Sequence, residues 1–63
     1  MKLIPGKTYK ERYPGGVYML RTLIRINKGN PVTYDWKLQD GRLSTNRQQD
    51  VDTMINRKEI EEI

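Results

Sequence analysis

Basic and aromatic side chains are interleaved along most of this chain, and their combination is the first chemical signal in the sequence. Ten lysines and arginines lie within residues 1–49, together with all four tyrosines and the only tryptophan. Cations of this kind contact phosphates, and exposed aromatic rings stack on bases. The pattern therefore favours a surface that binds DNA or RNA. The candidate binding residues are Tyr9, Lys10, Arg12, Tyr13, Arg21, Arg25, Lys28 and Arg47.

The candidate aromatic and basic residues divide by their expected exposure. Tyr18, Tyr34 and Trp36 lie on apolar strand faces and are expected in the core, whereas Tyr9 and Tyr13 are the candidates for exposed rings. Arg21 and Arg25 would share one strand face, about 13 Å apart at the rise of a β-strand. That spacing suits phosphates or the acidic groups of a protein, and an ordinary solvated strand face is the competing interpretation.

Catalytic chemistry has little support in the sequence. The chain has no histidine and no cysteine, Ser44 is its only serine, and no glycine-rich phosphate loop is present. General bases, nucleophiles and zinc ligands are drawn mainly from the missing residue types. We therefore predict a protein that is not an enzyme and that uses neither a cofactor nor a metal.

Charge is distributed unevenly along the chain. Residues 1–49 carry ten basic and three acidic side chains, a net of +7, while residues 50–63 carry two basic and five acidic ones, a net of −3. A basic body can meet a polyanion, or it can attract the acidic end within the fold. The absence of cysteine fits a cytoplasmic location, and no apolar run reaches the ~20 residues of a membrane span.

The length of 63 residues is enough for a single domain over residues 1–63. A chain this short buries only ~60% of the surface that its unfolded form exposes, so its core is marginal. Small proteins of this kind often gain stability by self-association, and a homo-oligomer is therefore possible.

Short strands separated by turn residues dominate the pattern. Val32 to Leu38 alternates strictly between apolar and polar residues, which predicts a strand with Trp36 in the core. Asp40-Gly41 then predicts a two-residue turn with Leu38 opposite Leu43. Upstream, residues 8–13 and 17–27 are predicted strands joined by a type II turn at Pro14-Gly15, with a helix as the alternative for residues 17–27.

The C-terminal part allows two interpretations. Val51, Thr53 and Ile55 alternate as in a fifth strand, after which Asn56 would cap a final helical turn with Glu59 at the capping-box spacing. The alternative is a helix that begins at Ser44 or Thr45 and runs to Ile55.

The resulting fold class is mainly all-β, a small antiparallel barrel of four or five short strands with a C-terminal helical turn. This order of strands and turns resembles the SH3-like class, which includes KOW and Tudor-type modules. The architecture is shared by many families and implies no single activity.

Two functions follow as hypotheses. The first is a small binding module that contacts nucleic acid through a basic sheet face. The second is a protein-interaction module or inhibitor of the kind encoded by phages and mobile elements, which targets a host protein such as a nucleic-acid enzyme.

Overall fold

The fold is one antiparallel sheet of five strands with a single short helix, as seen in a computed structural model that describes residues 1–63. The elements are β1 (Thr8–Tyr13), β2 (Val17–Asn27), β3 (Thr33–Leu38), β4 (Leu43–Arg47), α1 (Gln48–Asn56) and β5 (Ile60–Glu62). The strand order is β4-β3-β2-β1-β5, so β4 and β5 are the two edges. The prediction of a mainly antiparallel β fold is confirmed, while the sheet is not closed on itself.

The first two strands have the predicted bounds. They are joined by residues 14–16, where Gly15 has φ 85° and ψ 8°, values typical of the third position of a type II turn. β2 is long enough to serve two partners: residues 17–22 pair with β1, and residues 21–27 pair with β3. A β-bulge at Ile24 interrupts the second pairing, because Leu23 lies opposite Trp36 and Arg25 lies opposite Asp35.

The hairpin at Asp40-Gly41 forms, but its predicted register is wrong by one residue. Leu43 pairs with Lys37, so Leu38 and Leu43 do not face each other. Of the two turn residues only Gly41 has a positive φ, +91°, whereas a two-residue type I′ turn needs a positive φ at both. The loop therefore takes three residues, 39–41. A shift of one residue moves a side chain to the other face, and Leu43 is 74% exposed.

The C-terminal predictions are corrected in three places. Residues 51–55 form the middle of α1 and not a fifth strand, because Val51, Met54 and Ile55 pack on the core at helical spacing. The alternative helix starts later than Ser44 or Thr45, since both residues belong to β4. The predicted final helical turn is also wrong: residues 60–62 form β5, which pairs with β1.

The core lies between one face of the sheet, the N-terminal segment and α1. Its fully or almost fully buried apolar residues are Leu3, Tyr9, Leu23, Trp36, Val51 and Ile60. Tyr9 and Trp36 meet edge to face with ring centroids 6.2 Å apart, an arrangement that aromatic pairs prefer. Trp36 is in the core as predicted. No helix of the structure has the length and apolar character needed to cross a membrane.

The corrected hairpin register predicts that Leu43 contributes little to stability. Because its side chain lies on the solvent side of an edge strand, Leu43→Thr should change the free energy of unfolding by less than about 0.5 kcal/mol. Leu23→Ala, at a fully buried position on the central strand β2 of the same sheet, should cost about 2–5 kcal/mol. Urea denaturation followed by Trp36 fluorescence compares the two. A loss at Leu43 as large as that at Leu23 would contradict this register.

Candidate nucleic-acid interface

The sheet has two faces with different roles, because successive side chains of a strand point to opposite sides. One side carries Tyr9, Leu23 and Trp36 and packs on the core. The other side is named here the outer face. Strand alternation and the pairing registers assign to it Thr8, Lys10, Arg12, Tyr18, Leu20, Thr22, Arg25, Asn27, Thr33, Asp35, Lys37, Leu43, Thr45, Arg47 and Glu61.

Tyr18 is an exposed aromatic residue of the outer face, and two cations of β1 lie against its ring. Arg12 is directly opposite Tyr18 in the β1–β2 pairing, and Lys10 lies two residues before Arg12 on the same side of β1. The Lys10 Nζ lies 4.7 Å and the Arg12 Cζ 5.9 Å from the centre of the Tyr18 ring. Arg12 also forms an ion pair with Glu61 of β5. Tyr18 remains 44% exposed, so that a ligand can reach its ring.

A second group of side chains surrounds Asp35 in the middle of the sheet. The Asp35 carboxylate accepts hydrogen bonds from Asn27 and Thr45 and forms a 3.0 Å ion pair with the Arg25 Nε. The hydrogen bond from Asn27, followed by the one from Thr45, lowers the pKa of Asp35 below its ordinary value. Asp35 is therefore ionised at neutral pH and neutralises one cation of the outer face.

The outer face is basic after these pairs are counted. It carries five cations against the carboxylates of Asp35 and Glu61, a net of +3. Four of the cations are candidates from the sequence, and the fifth was not singled out there: they are Lys10, Arg12, Arg25, Arg47 and Lys37. The structure thus brings half of the eight candidate residues to one face.

Arg21 lies on the core side, and the expectation that it shares a face with Arg25 is wrong. The bulge at Ile24 reverses the alternation between the two arginines. Arg21 is only 6% exposed. Its Nη2 lies 3.1 Å from Glu11 Oε1, its Nη1 donates to Asn46 Oδ1, and its guanidinium lies 4.8 Å from the Trp36 ring. A buried and paired guanidinium of this kind is a structural residue.

Tyr9 does not provide the exposed ring expected of it, whereas Tyr13 is exposed as predicted but lies on the core side of the sheet and not on the outer face. Tyr9 is fully buried, and its hydroxyl oxygen accepts a hydrogen bond from the Ile4 N–H at 2.9 Å. Tyr13 is partly exposed on the core side of β1, where its hydroxyl donates to Glu11 Oε1 at 2.8 Å. That hydrogen bond raises the pKa of Tyr13 above its ordinary value, so the phenol stays protonated and continues to donate.

Lys28 lies outside the sheet, in the loop that follows β2. It lines a groove of about 550 Å³ between that loop and the N-terminal segment, together with Lys2 and Arg25. Since Arg25 also belongs to the outer face, the groove adjoins that face at the end of β2.

The expectation that Tyr18 lies in the core is wrong, and Lys37 is a cation of the outer face that was not among the candidate binding residues. Tyr18 alternates with Leu20 and Ile24, a pattern that indicates a core-facing strand. The structure sets Arg12 opposite Tyr18 because residues 14–16 all belong to the loop between β1 and β2. Lys37 alternates with the core residue Trp36 and could have been assigned to the outer face on that ground.

The structure holds no group of three or more Asp, Glu, His or Cys side chains placed to bind a metal ion. A scan of protein-family models and searches of curated proteins and solved structures found no match to the chain.

Proposed function

We propose that this chain is a small non-catalytic module with an SH3-like architecture that binds nucleic acid through the outer face. The architecture is supported by the arrangement of the elements: four strands in consecutive antiparallel pairing, a short helix, and a fifth strand that returns to pair with the first. In SH3-like barrels a strand pairing of this kind curls the sheet toward closure. A closed barrel is part of the proposal.

The observation that carries the proposal is the accessible Tyr18 ring beside the cations of Lys10 and Arg12. Nucleic acid offers phosphates to cations and flat bases to aromatic rings. On the outer face, two cations and an aromatic ring lie within one cluster. The remaining unpaired cations of the outer face, Lys37 and Arg47, extend the positive surface toward β4.

The proposal predicts binding that depends on salt. Three net positive charges correspond to a slope of about −2 for log K against log salt on a single strand. The slope is measured with a fluorescein-labelled oligonucleotide of about 12 nucleotides. Its binding is followed by fluorescence anisotropy at salt concentrations from about 50 mM upward. Lys10→Ala/Arg12→Ala should weaken binding and flatten the slope by about 1.4.

Tyr18→Ala tests the aromatic part, and we expect it to weaken binding by about tenfold with an unchanged salt slope. The control for the loss of positive charge in Lys10→Ala/Arg12→Ala is Arg57→Ala. This variant removes an exposed cation that lies beyond the end of α1 and away from the outer face. Binding that is undetectable at low salt, or equal in all of these variants, would refute the proposal.

A protein-interaction module or inhibitor is the second candidate, and the free edge of β4 favours it. This edge has no neighbouring strand, and Leu43 at its start is highly exposed. An unpaired edge can accept a strand from a partner. A pull-down from a nuclease-treated extract separates the candidates, because a stoichiometric protein partner that survives nuclease favours this one.

A further inference from the structure

The groove beside Lys28 combines an apolar floor with a basic rim. Ile4, Pro5 and Ile26 supply apolar surface, and the cations of Lys2, Arg25 and Lys28 stand around it. No carboxylate lines the groove, although the Asp35 carboxylate pairs with Arg25 on the side of the sheet. Ile4 is 51% exposed, so its side chain is accessible to a ligand in the groove.

This lining suits a flat apolar group that carries negative charge close to it. An unpaired nucleotide has this chemistry, because the faces of its base are apolar and its phosphates are anionic. A duplex offers phosphates but no free base face. An acidic peptide with an apolar side chain has similar chemistry.

Continuity decides between these occupants. Arg25 lines the groove and also belongs to the outer face, so one strand can contact Tyr18, run along β2 past Lys10 and Lys37, and reach the groove. Residues 18 and 25 of β2 are about 23 Å apart at strand rise, a distance that several nucleotides of an extended strand can span.

We propose that the groove binds an unpaired base and that the ligand of this protein is single-stranded nucleic acid. This inference rests on the proposed function and adds to it the class of nucleic acid and a second base site. Tyr18 and the groove then mark the two ends of the strand's path.

The test compares three labelled ligands of about 12 nucleotides: single-stranded oligothymidine, a strand of equal length with abasic sites, and a duplex. The abasic strand keeps the phosphates and removes the bases. We expect oligothymidine to bind at least about tenfold more tightly than the abasic strand, because each stacked base adds affinity. Equal affinity for all three would overturn the inference and leave the proposed function standing, whereas no binding to any of them would refute both.

Variants locate the second base site. Ile4→Ser should weaken oligothymidine binding about fivefold or more and leave the abasic strand unaffected. Ile63→Ser is the matched control, because Ile63 is an exposed isoleucine outside the groove. Loss of oligothymidine binding in Tyr18→Ala with no change in Ile4→Ser would exclude the groove. Displacement of oligothymidine by a short peptide of glutamate and leucine, reduced by Ile4→Ser, would assign the groove to a protein partner and overturn the inference.

Discussion

Glu11→Leu is expected to lower the free energy of unfolding by about 3–5 kcal/mol, because it leaves the buried Arg21 guanidinium without its counter-ion. Arg21 then keeps only the hydrogen bond to Asn46 and the contact with the Trp36 ring. A domain of 63 residues has a total stability of about 3–9 kcal/mol. The loss is therefore large enough to unfold much of the protein at room temperature. Urea denaturation followed by Trp36 fluorescence measures it, in the presence of sucrose if the variant is too unstable in buffer.

The double variant Glu11→Leu/Arg21→Met is the control for this result. Buried ion pairs can often be replaced by apolar residues of similar volume at little cost. We expect the double variant to recover most of the stability that Glu11→Leu loses, since no uncompensated charge remains. A double variant as unstable as the single one would show that the packing of Glu11, and not the pairing of charges, matters at this position.

Trp36→Ala is expected to cost about 3–5 kcal/mol, because it removes the largest buried side chain of the core. The indole contacts Tyr9 edge to face and supports the Arg21 guanidinium, so both contacts are lost together. Far-UV circular dichroism through a thermal scan is the suitable measurement, since the variant lacks the only tryptophan.

Trp36→Phe separates packing from hydrogen bonding at this position. The indole Nε1 has no hydrogen-bond partner among the protein's own groups. Phenylalanine therefore loses no hydrogen bond and retains part of the ring contacts, and its cost should be clearly smaller than that of alanine. Equal losses in the two variants would mean that a polar contact of the indole outweighs its packing.

The strands of the first half could be predicted because local patterns specify them. Thr33–Leu38 alternates without exception, and Pro14-Gly15-Gly16 marks the turn between β1 and β2. The Asp40-Gly41 register could not be predicted, because two-residue and three-residue loops accept the same dipeptide. Residues 51–55 satisfy both a period of two and helical spacing, and tertiary packing of Val51 and Met54 decides for the helix.

Part of the candidate site could be predicted from the sequence, because strand alternation determines which face a side chain occupies. Lys10, Arg12, Arg25 and Arg47 reach the outer face by strand alternation, while the bulge at Ile24 reverses the assignment of Arg21. A bulge has no clear signature in the sequence of β2. The acidic C-terminal part meets the basic body at the Arg12–Glu61 and Lys7–Glu62 ion pairs. Attraction within the fold therefore accounts for part of the charge asymmetry.

The pairing of β5 with β1 has a kinetic consequence. It joins residues such as Arg12 and Glu61, which are 49 positions apart in the chain. The pairings β1–β2, β2–β3 and β3–β4, in contrast, join strands that are consecutive in the chain. Closing so long a loop costs entropy before its contacts can compensate. We expect the hairpins to form early and β5 to dock late, after α1 has brought it near the sheet. The same edge would be the first to open in the native state, exposing the buried face of Ile60 and the free edge of β1.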